Sequence, residues 1–514
     1  MAVTVSLNGS VPSPAPYPLA AGRVGASVPV FYALAAAAPI TIGTTVIPAA
    51  YADGDISAVP LALLTVGLIL LLFCVGYAAM ARRVPNAGAL YSFVARGLGR
   101  PIGVGAAWVA LLSYNAIQIG LYGAAGWAAA PLLKSWFGID GEGWMVAAGW
   151  WAVVALCGLL QVQIAGGLLA LVVLAESVAI AGFGAANLLE PAGGRVTWDT
   201  FVLPDLAAGD RPALGLLLVV AAFAFIGFET TAAYAEETIR PRRSIARAAG
   251  LAVLLMALLY GFSAWAMSVA AGLGEAARPG AGRGAELVFD LAAARLAPWA
   301  VTLGRVLLLT GLLAAMISLH HTIARYTFAL GRERVLFGWL GRTTRIGSVP
   351  VPASITQSLV AAAVLGGVYA SGWGTPAETL HRLTVAGGLG ILLLLPAASL
   401  AALLYLNRVP GDERLWHRFA APAAATVLLG ALAYLGWANL PGLFDVPADH
   451  PLVIGVPTGF AATVLFGISY GYVLRAVAPI SYAGIGLGGA AVVVTPVIPR
   501  PREPGAHRPE RVRR

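Results

Sequence analysis

The chain has 514 residues, of which 59% are hydrophobic and 11% charged, with a mean hydropathy of +0.83. Such a composition excludes an ordinary soluble domain and describes a chain that crosses a membrane many times. The net charge of +9 does not point to nucleic acid, because the basic residues are spread between long apolar runs.

Residues 1–22 are rich in Pro and Ser and lack a basic start followed by an apolar core. They read as a disordered tail and not as a cleaved signal. Apolar runs of span length then recur about twelve times, each near the roughly 20 residues needed to cross ~30 Å of hydrocarbon. The expected spans are 27–51, 58–81, 102–132, 144–162, 166–189, 212–236, 246–272, 294–321, 351–370, 380–407, 419–440 and 452–475. Cys74 and Cys157 lie inside apolar runs and suggest no disulfide framework.

With the N-terminus inside, alternate segments hold Arg23; Arg82, Arg83, Arg96, Arg100; Arg240, Arg242, Arg243, Arg247; Arg325, Arg332, Arg334, Arg342, Arg345; Arg408, Arg414, Arg418; and Arg475 onward. Those segments carry 24 of the 32 basic residues. This is the positive-inside bias, and it puts both termini of a cell-membrane protein in the cytoplasm, with a secondary attraction to anionic lipid there. The apolar stretch 478–499 is dense in Gly and Pro. A thirteenth span there would send the arginine-rich end outside, so residues 477–514 read as a second tail.

Two spans depart from plain apolar helix. The first holds Pro39, Gly43 and Pro48 in APITIGTTVIPAA, and the sixth holds Gly227 in AFIGFET. They stand five spans apart. Paired interrupted spans at matching places point to an inverted-repeat transporter with a midplane site. An odd number of spans per repeat inverts the second copy, giving a 5+5 core over residues 23–407. Residues 408–476 then form two additional helices.

The same residues carry a family resemblance. GFETTAAYAEETIRPRRSIARA (Gly227–Ala248) resembles the sixth-span signature of the amino acid–polyamine–organocation (APC) superfamily. RRVPNAGALYSFVARGLGRPIGVGAAW (Arg82–Trp108) is similar to its second-to-third-span loop, and ARYTFALGRERVL (Ala324–Leu336) to the loop after its eighth span. The resemblance covers about residues 24–407 well. The G-S-G-like triplet of many first spans in the family stands here as Thr41-Ile42-Gly43, with only the second glycine kept, and so leaves the substrate open.

The resemblance implies that amides of an unwound Thr41, Ile42, Gly43 and Thr44 hold a substrate carboxylate. It implies that carbonyls of an unwound Phe225, Ile226, Gly227 and Phe228 hold an amine. Half-helix ends carry the charges this requires. Tyr114, Asn115 and Gln118 of the third span are further lining candidates, with helix–helix hydrogen bonding as the competing role. Glu229 and Glu176 are acids at membrane depth, where charge costs ~2.5–3.5 kcal/mol on insertion scales. They are candidates for coupling or gating, with a structural ion pair or a protonated carboxyl satisfying loose backbone as the competing role of Glu229. Arg305 approaches the midplane from the opposite face, so a Glu176–Arg305 pair, or Arg305 serving Glu229, is expected, with Arg305 snorkelling outward as the competing role. Glu236, Glu237 and the arginines after them read as loop charges first and an inner-gate network second. Adjacent His320 and His321 point apart on a helix and suit metal poorly.

No P-loop and no enzyme motif occurs. The reading is a secondary transporter, not an enzyme, for an amino acid or related amine such as a polyamine or other organic cation. It needs no cofactor and no metal; a proton is the expected coupling ion and sodium the alternative. Its partners are a small-molecule substrate and the bilayer, and the sequence sets no oligomeric state. A non-transporting receptor or assembly subunit on the same fold is the rival.

Overall fold

The computed structural model describes residues 19, 22–52, 57–202, 211–272, 284–345, 347–371, 375–409 and 411–490. Every regular element among them is helical, and one extended bridge joins Val24 to Thr238. Eleven helices are long and apolar enough to cross a membrane: Val28–Tyr51, Val59–Arg83, Arg100–Phe137, Val162–Leu189, Pro212–Tyr234, Pro241–Ala271, Pro298–Arg332, Val351–Ser371, Pro376–Arg408, Trp416–Ala438 and Pro451–Val477. Many begin with proline in the first turn, including Pro29, Pro60, Pro101, Pro241, Pro298, Pro376 and Pro451. An N–H is unneeded at that position, so proline starts a helix without cost.

The fourth expected span is shorter than foreseen. Its helix, Gly143–Cys157, has 15 residues and rises only ~22 Å. It stops at Gly158, whose carbonyl accepts from Ser354 Oγ (2.9 Å) and which the His320 ring crowds. Counting this helix as the fourth, the spans keep the numbering expected from sequence. The eighth errs in the other direction. It runs on to Arg332 because Ala324–Leu330 stays buried, so Arg325 is a helix residue and not a loop residue.

Small residues let the helices approach closely, as is usual in lipid. A Cβ on Gly120 of the third helix would lie 2.5 Å from Leu380 O of the tenth. One on Gly67 of the second would lie 2.7 Å from Ala257 Cβ of the seventh. Large apolar side chains such as Leu171, Val178, Leu359 and Ile454 face outward.

At the arginine-rich end the chain is tied down by polar contacts. Arg83 pairs with Glu413. Glu333 is buried and accepts from Asn86 Nδ2 (3.1 Å), Tyr91 Oη (2.8 Å), Gly486 N (2.9 Å) and Gly488 N (2.9 Å). Residues 479–490 were expected in a tail. They instead form a short helix and a turn on the core, with Ile485 buried, because Glu333 draws in their amides. The rest of that expected tail, 491–514, and residues 1–18, 20 and 21 of the first lie outside the described residues. Leu19 is buried.

Burial pushes the Glu333 carboxyl above the ordinary carboxylate range, against the four donors that pull it down. A raised folded-state value means that this group's contribution to stability is full at low pH. It is lost as pH rises from the unfolded value through the folded one. Glu333→Gln should therefore flatten the fall in melting temperature expected for the wild type as pH rises above the ordinary carboxylate range. Glu333→Ala should cost about 3 kcal/mol at low pH by leaving buried donors unmet, and less as pH rises. Thermal melts of purified protein across pH check both.

Candidate functional site

The first span breaks at Ala38. Pro39 has no N–H and disfavours helical geometry in the residue before it, and Ala38 takes φ 47°, ψ 72°. Ile40 N would donate to its own helix in an unbroken span. Here it donates to Glu176 Oε2 of the fifth span (3.2 Å). A buried carboxylate from a neighbouring helix thus sits at the positive end of the half-helix that follows the break. The Glu176 carboxyl packs on Gly311 of the eighth span, where a Cβ would lie 2.7 Å from Oε1.

The sixth span breaks after Phe223. Turns carry the chain to Gly227, which has φ 122°, and a 3-10 segment, Phe228–Tyr234, follows. Glu229 folds back over this break. Its Oε2 accepts from Gly227 N (2.9 Å) and its Oε1 from Tyr114 Oη (3.0 Å). Tyr77 Oη donates to Glu229 O (2.8 Å), accepts from Ala232 N (2.9 Å) and lies 2.9 Å from Thr231 Oγ1. Thr230 Oγ1 donates to Gly227 O (2.6 Å).

The two breaks touch. A Cβ on Gly227 would lie 2.8 Å from Ala36 Cβ, 2.9 Å from Ala37 N and 3.1 Å from Ala33 O. Near this junction three buried oxygens have no hydrogen-bond partner among the described residues: Glu176 Oε1, Thr41 Oγ1 and Tyr260 Oη. The Tyr260 ring packs on Phe225 with centroids 5.8 Å apart.

Towards the arginine-rich end the site is closed. Tyr32 and Tyr234 lie ring against ring at 4.3 Å, and the Arg325 guanidinium sits 4.6 Å over the Tyr234 ring. Arg325 grips Glu237 with two bonds (2.5 and 3.1 Å), and both side chains are 2% exposed. Arg332 grips Glu236 in the same way (2.5 and 2.7 Å). Val24 exchanges backbone bonds with Glu237 O (3.0 Å) and Ile239 N (2.8 Å), stitching the chain before the first span to the end of the sixth.

Several expected residues stand elsewhere. Thr41, Ile42, Gly43 and Thr44 are not unwound. Thr41 ends a short helical turn and Ile42–Val46 forms a π-helix, so the break lies three residues earlier, at the residue Pro39 forces out. Thr44 Oγ1 bonds back to Ile40 O (2.8 Å). Arg305 meets neither Glu176 nor Glu229. It pairs with Glu286 (2.7 Å) beyond the far end of the span and stacks over Phe289, where its charge stays partly exposed. Tyr114 serves Glu229. Gln118 is held by Tyr122 Oη (3.1 Å), Met316 O (3.2 Å) and Gln357 (2.7 Å), while Asn115 bonds to Leu111 O (2.8 Å). Phe225, Ile226, Gly227 and Phe228 do form the sixth-span break. His320 binds Ser354 Oγ (2.8 Å), and both histidines lie deeper than expected because the eighth helix is longer. The Arg325–Glu237 pair was missed. The helical period continuing through Ala324–Leu330 was its signal.

An all-helical membrane fold with two interrupted helices meeting at their breaks is a transporter architecture. A solved structure, MhsT in complex with L-phenylalanine, matches with a TM-score of 0.51 at 17% identity, over 78% of this chain and 98% of that one. No curated protein matches the chain. The model of the amino acid permease family matches residues 29–470, and the chain belongs to that family and so to the APC superfamily.

Gly227→Ala should destabilise by about 2 kcal/mol or more, since it adds left-handed strain and a clash at the junction. Tyr77→Phe should cost about 2–3 kcal/mol by stranding Glu229 O and Ala232 N in an apolar interior. Denaturation midpoints of the purified variants, set against the wild type, measure both.

Proposed function

We propose that the protein is a secondary active transporter that moves an amino acid or related amine by alternating access, with Glu176 as the proton-coupling group. The observation that carries the reading is the bond from Ile40 N to Glu176. The half-helix amide that would receive a substrate carboxylate is already held by one of the chain's own. Two carboxylates crowded at one helix end do not both stay ionised. Arrival of a substrate carboxylate therefore brings a proton to Glu176, which releases the amide. Substrate and proton enter together.

The amine would rest on the carbonyls exposed at Phe225–Gly227. In this reading the 5+5 repeat rocks its mobile bundle about the junction, and the Arg325–Glu237 and Arg332–Glu236 pairs are the gate on the cytoplasmic side. The arginine-rich end is the inner face of the cell membrane and holds both termini. A cationic amine without a carboxylate, or sodium, is the second reading. The unpartnered Glu176 Oε1 supports it, since that oxygen, when the carboxyl is ionised, would accept from an ammonium or hold a cation.

Counterflow and pH-driven uptake in proteoliposomes test the proposal across amino acids, polyamines and other organic cations. For the true substrate, Glu176→Gln should abolish accumulation driven by a pH gradient while exchange persists. Exchange without any pH response in the wild type would remove proton coupling. No exchange for any compound would favour a receptor.

A further inference from the structure

A groove of about 910 Å³ runs down the outside of the bundle between the first, fifth and seventh spans. On the seventh helix its wall follows one helical face, from Arg240, Arg243 and Arg247 to Leu251, Leu255 and Leu259. Its far end reaches Pro39 and Tyr260 beside the first-span break. Most of the wall is apolar, and its charged residues are gathered at one mouth.

The three arginines at that mouth are exposed. None has an ion-pair partner among the described residues, whereas Arg83, Arg325 and Arg332 each grip a carboxylate. The first turn of the seventh helix contains no acid, so no carboxylate of that turn offsets their charge. From Leu251 to Tyr260 the groove follows the helix for ~14 Å. That matches half of the ~30 Å hydrocarbon thickness, one leaflet. A soluble anion would leave the apolar slot unfilled, and a neutral apolar molecule would leave the arginines unmatched.

We propose that the groove binds one anionic phospholipid, with its phosphate against Arg240, Arg243 and Arg247 and an acyl chain along Leu251–Leu259 towards Pro39. The chain end then lies against the proline that sets the first-span break. The lipid is a wedge beside the half of that span which must move for the arginine-rich end to open. This site stands whether or not the transport reading holds.

Native mass spectrometry of the purified full chain, titrated with phosphatidylglycerol or phosphatidylcholine, tests it. One phosphatidylglycerol should be retained in preference to phosphatidylcholine. The R243Q/R247Q variant should weaken it about 30-fold, about fivefold per arginine. Leu255→Trp fills the slot with every charge intact and should also displace it, and a thermal melt confirms that each variant is folded. Three results would overturn the proposal. They are equal retention of the two lipids, unchanged retention in either folded variant, and competition by inorganic phosphate as effective as unlabelled phosphatidylglycerol.

Discussion

In hydrocarbon no water completes a broken helix, so each interrupted backbone must find its partners within the protein. The rest of this structure is arranged around that requirement. The first-span break leaves Ile40 N without a helical acceptor, and Glu176 reaches across from the fifth span to take it. The sixth-span break is completed from four directions, by Glu229, Tyr77, Thr230 and Thr231. Tyr114 then fixes Glu229 from the third span. Helices that contribute no break are thereby bound to those that do.

The same requirement explains why two acids at similar depth play different parts. Glu229 has both oxygens occupied, by Gly227 N and Tyr114 Oη, and its main-chain carbonyl is held by Tyr77. It is part of the scaffold of the break. Glu176 has one oxygen engaged and one free, and the hydroxyl oxygens of Tyr260 and Thr41 are also unpartnered among the described residues. A carboxylate left half satisfied in an apolar interior is unstable unless something else arrives. That asymmetry makes Glu176 the group through which we propose ligand and proton are coupled. The closed arginine-rich end supplies the other half of the proposal. Buried pairs such as Arg325–Glu237 hold firmly when complete and cost several kcal/mol when one partner is removed. They suit a gate with two discrete states.

Much of this was legible in the sequence, and the errors have physical causes. Gly227 announced the sixth-span break because glycine alone tolerates φ 122° in so tight a contact. The unwound segment was expected over Thr41–Thr44 around Gly43, but glycine only permits a break, whereas Pro39 compels one in the residue before it. Arg305 and Glu176 were matched by depth along their helices. Depth is a single coordinate and says nothing of which face a side chain leaves from, and Arg305 leaves towards Glu286. The eighth span was expected to end at His321, where polar residues follow the apolar run. They were buried polar partners, and the helix ran eleven residues further. Long-range satisfaction, such as the amides of Gly486 and Gly488 on Glu333, leaves no mark in local composition.

The central claim is that Glu176 yields Ile40 N to the substrate and takes up a proton as it does so. Infrared difference spectroscopy, substrate-bound minus substrate-free, observes that event directly through the carbonyl stretch of a protonated carboxylic acid. The account requires such a band to appear on substrate addition, to shift in heavy water, and to vanish in Glu176→Gln. A spectrum in which no carboxyl is protonated on binding, or in which the band persists unchanged in that variant, would contradict it.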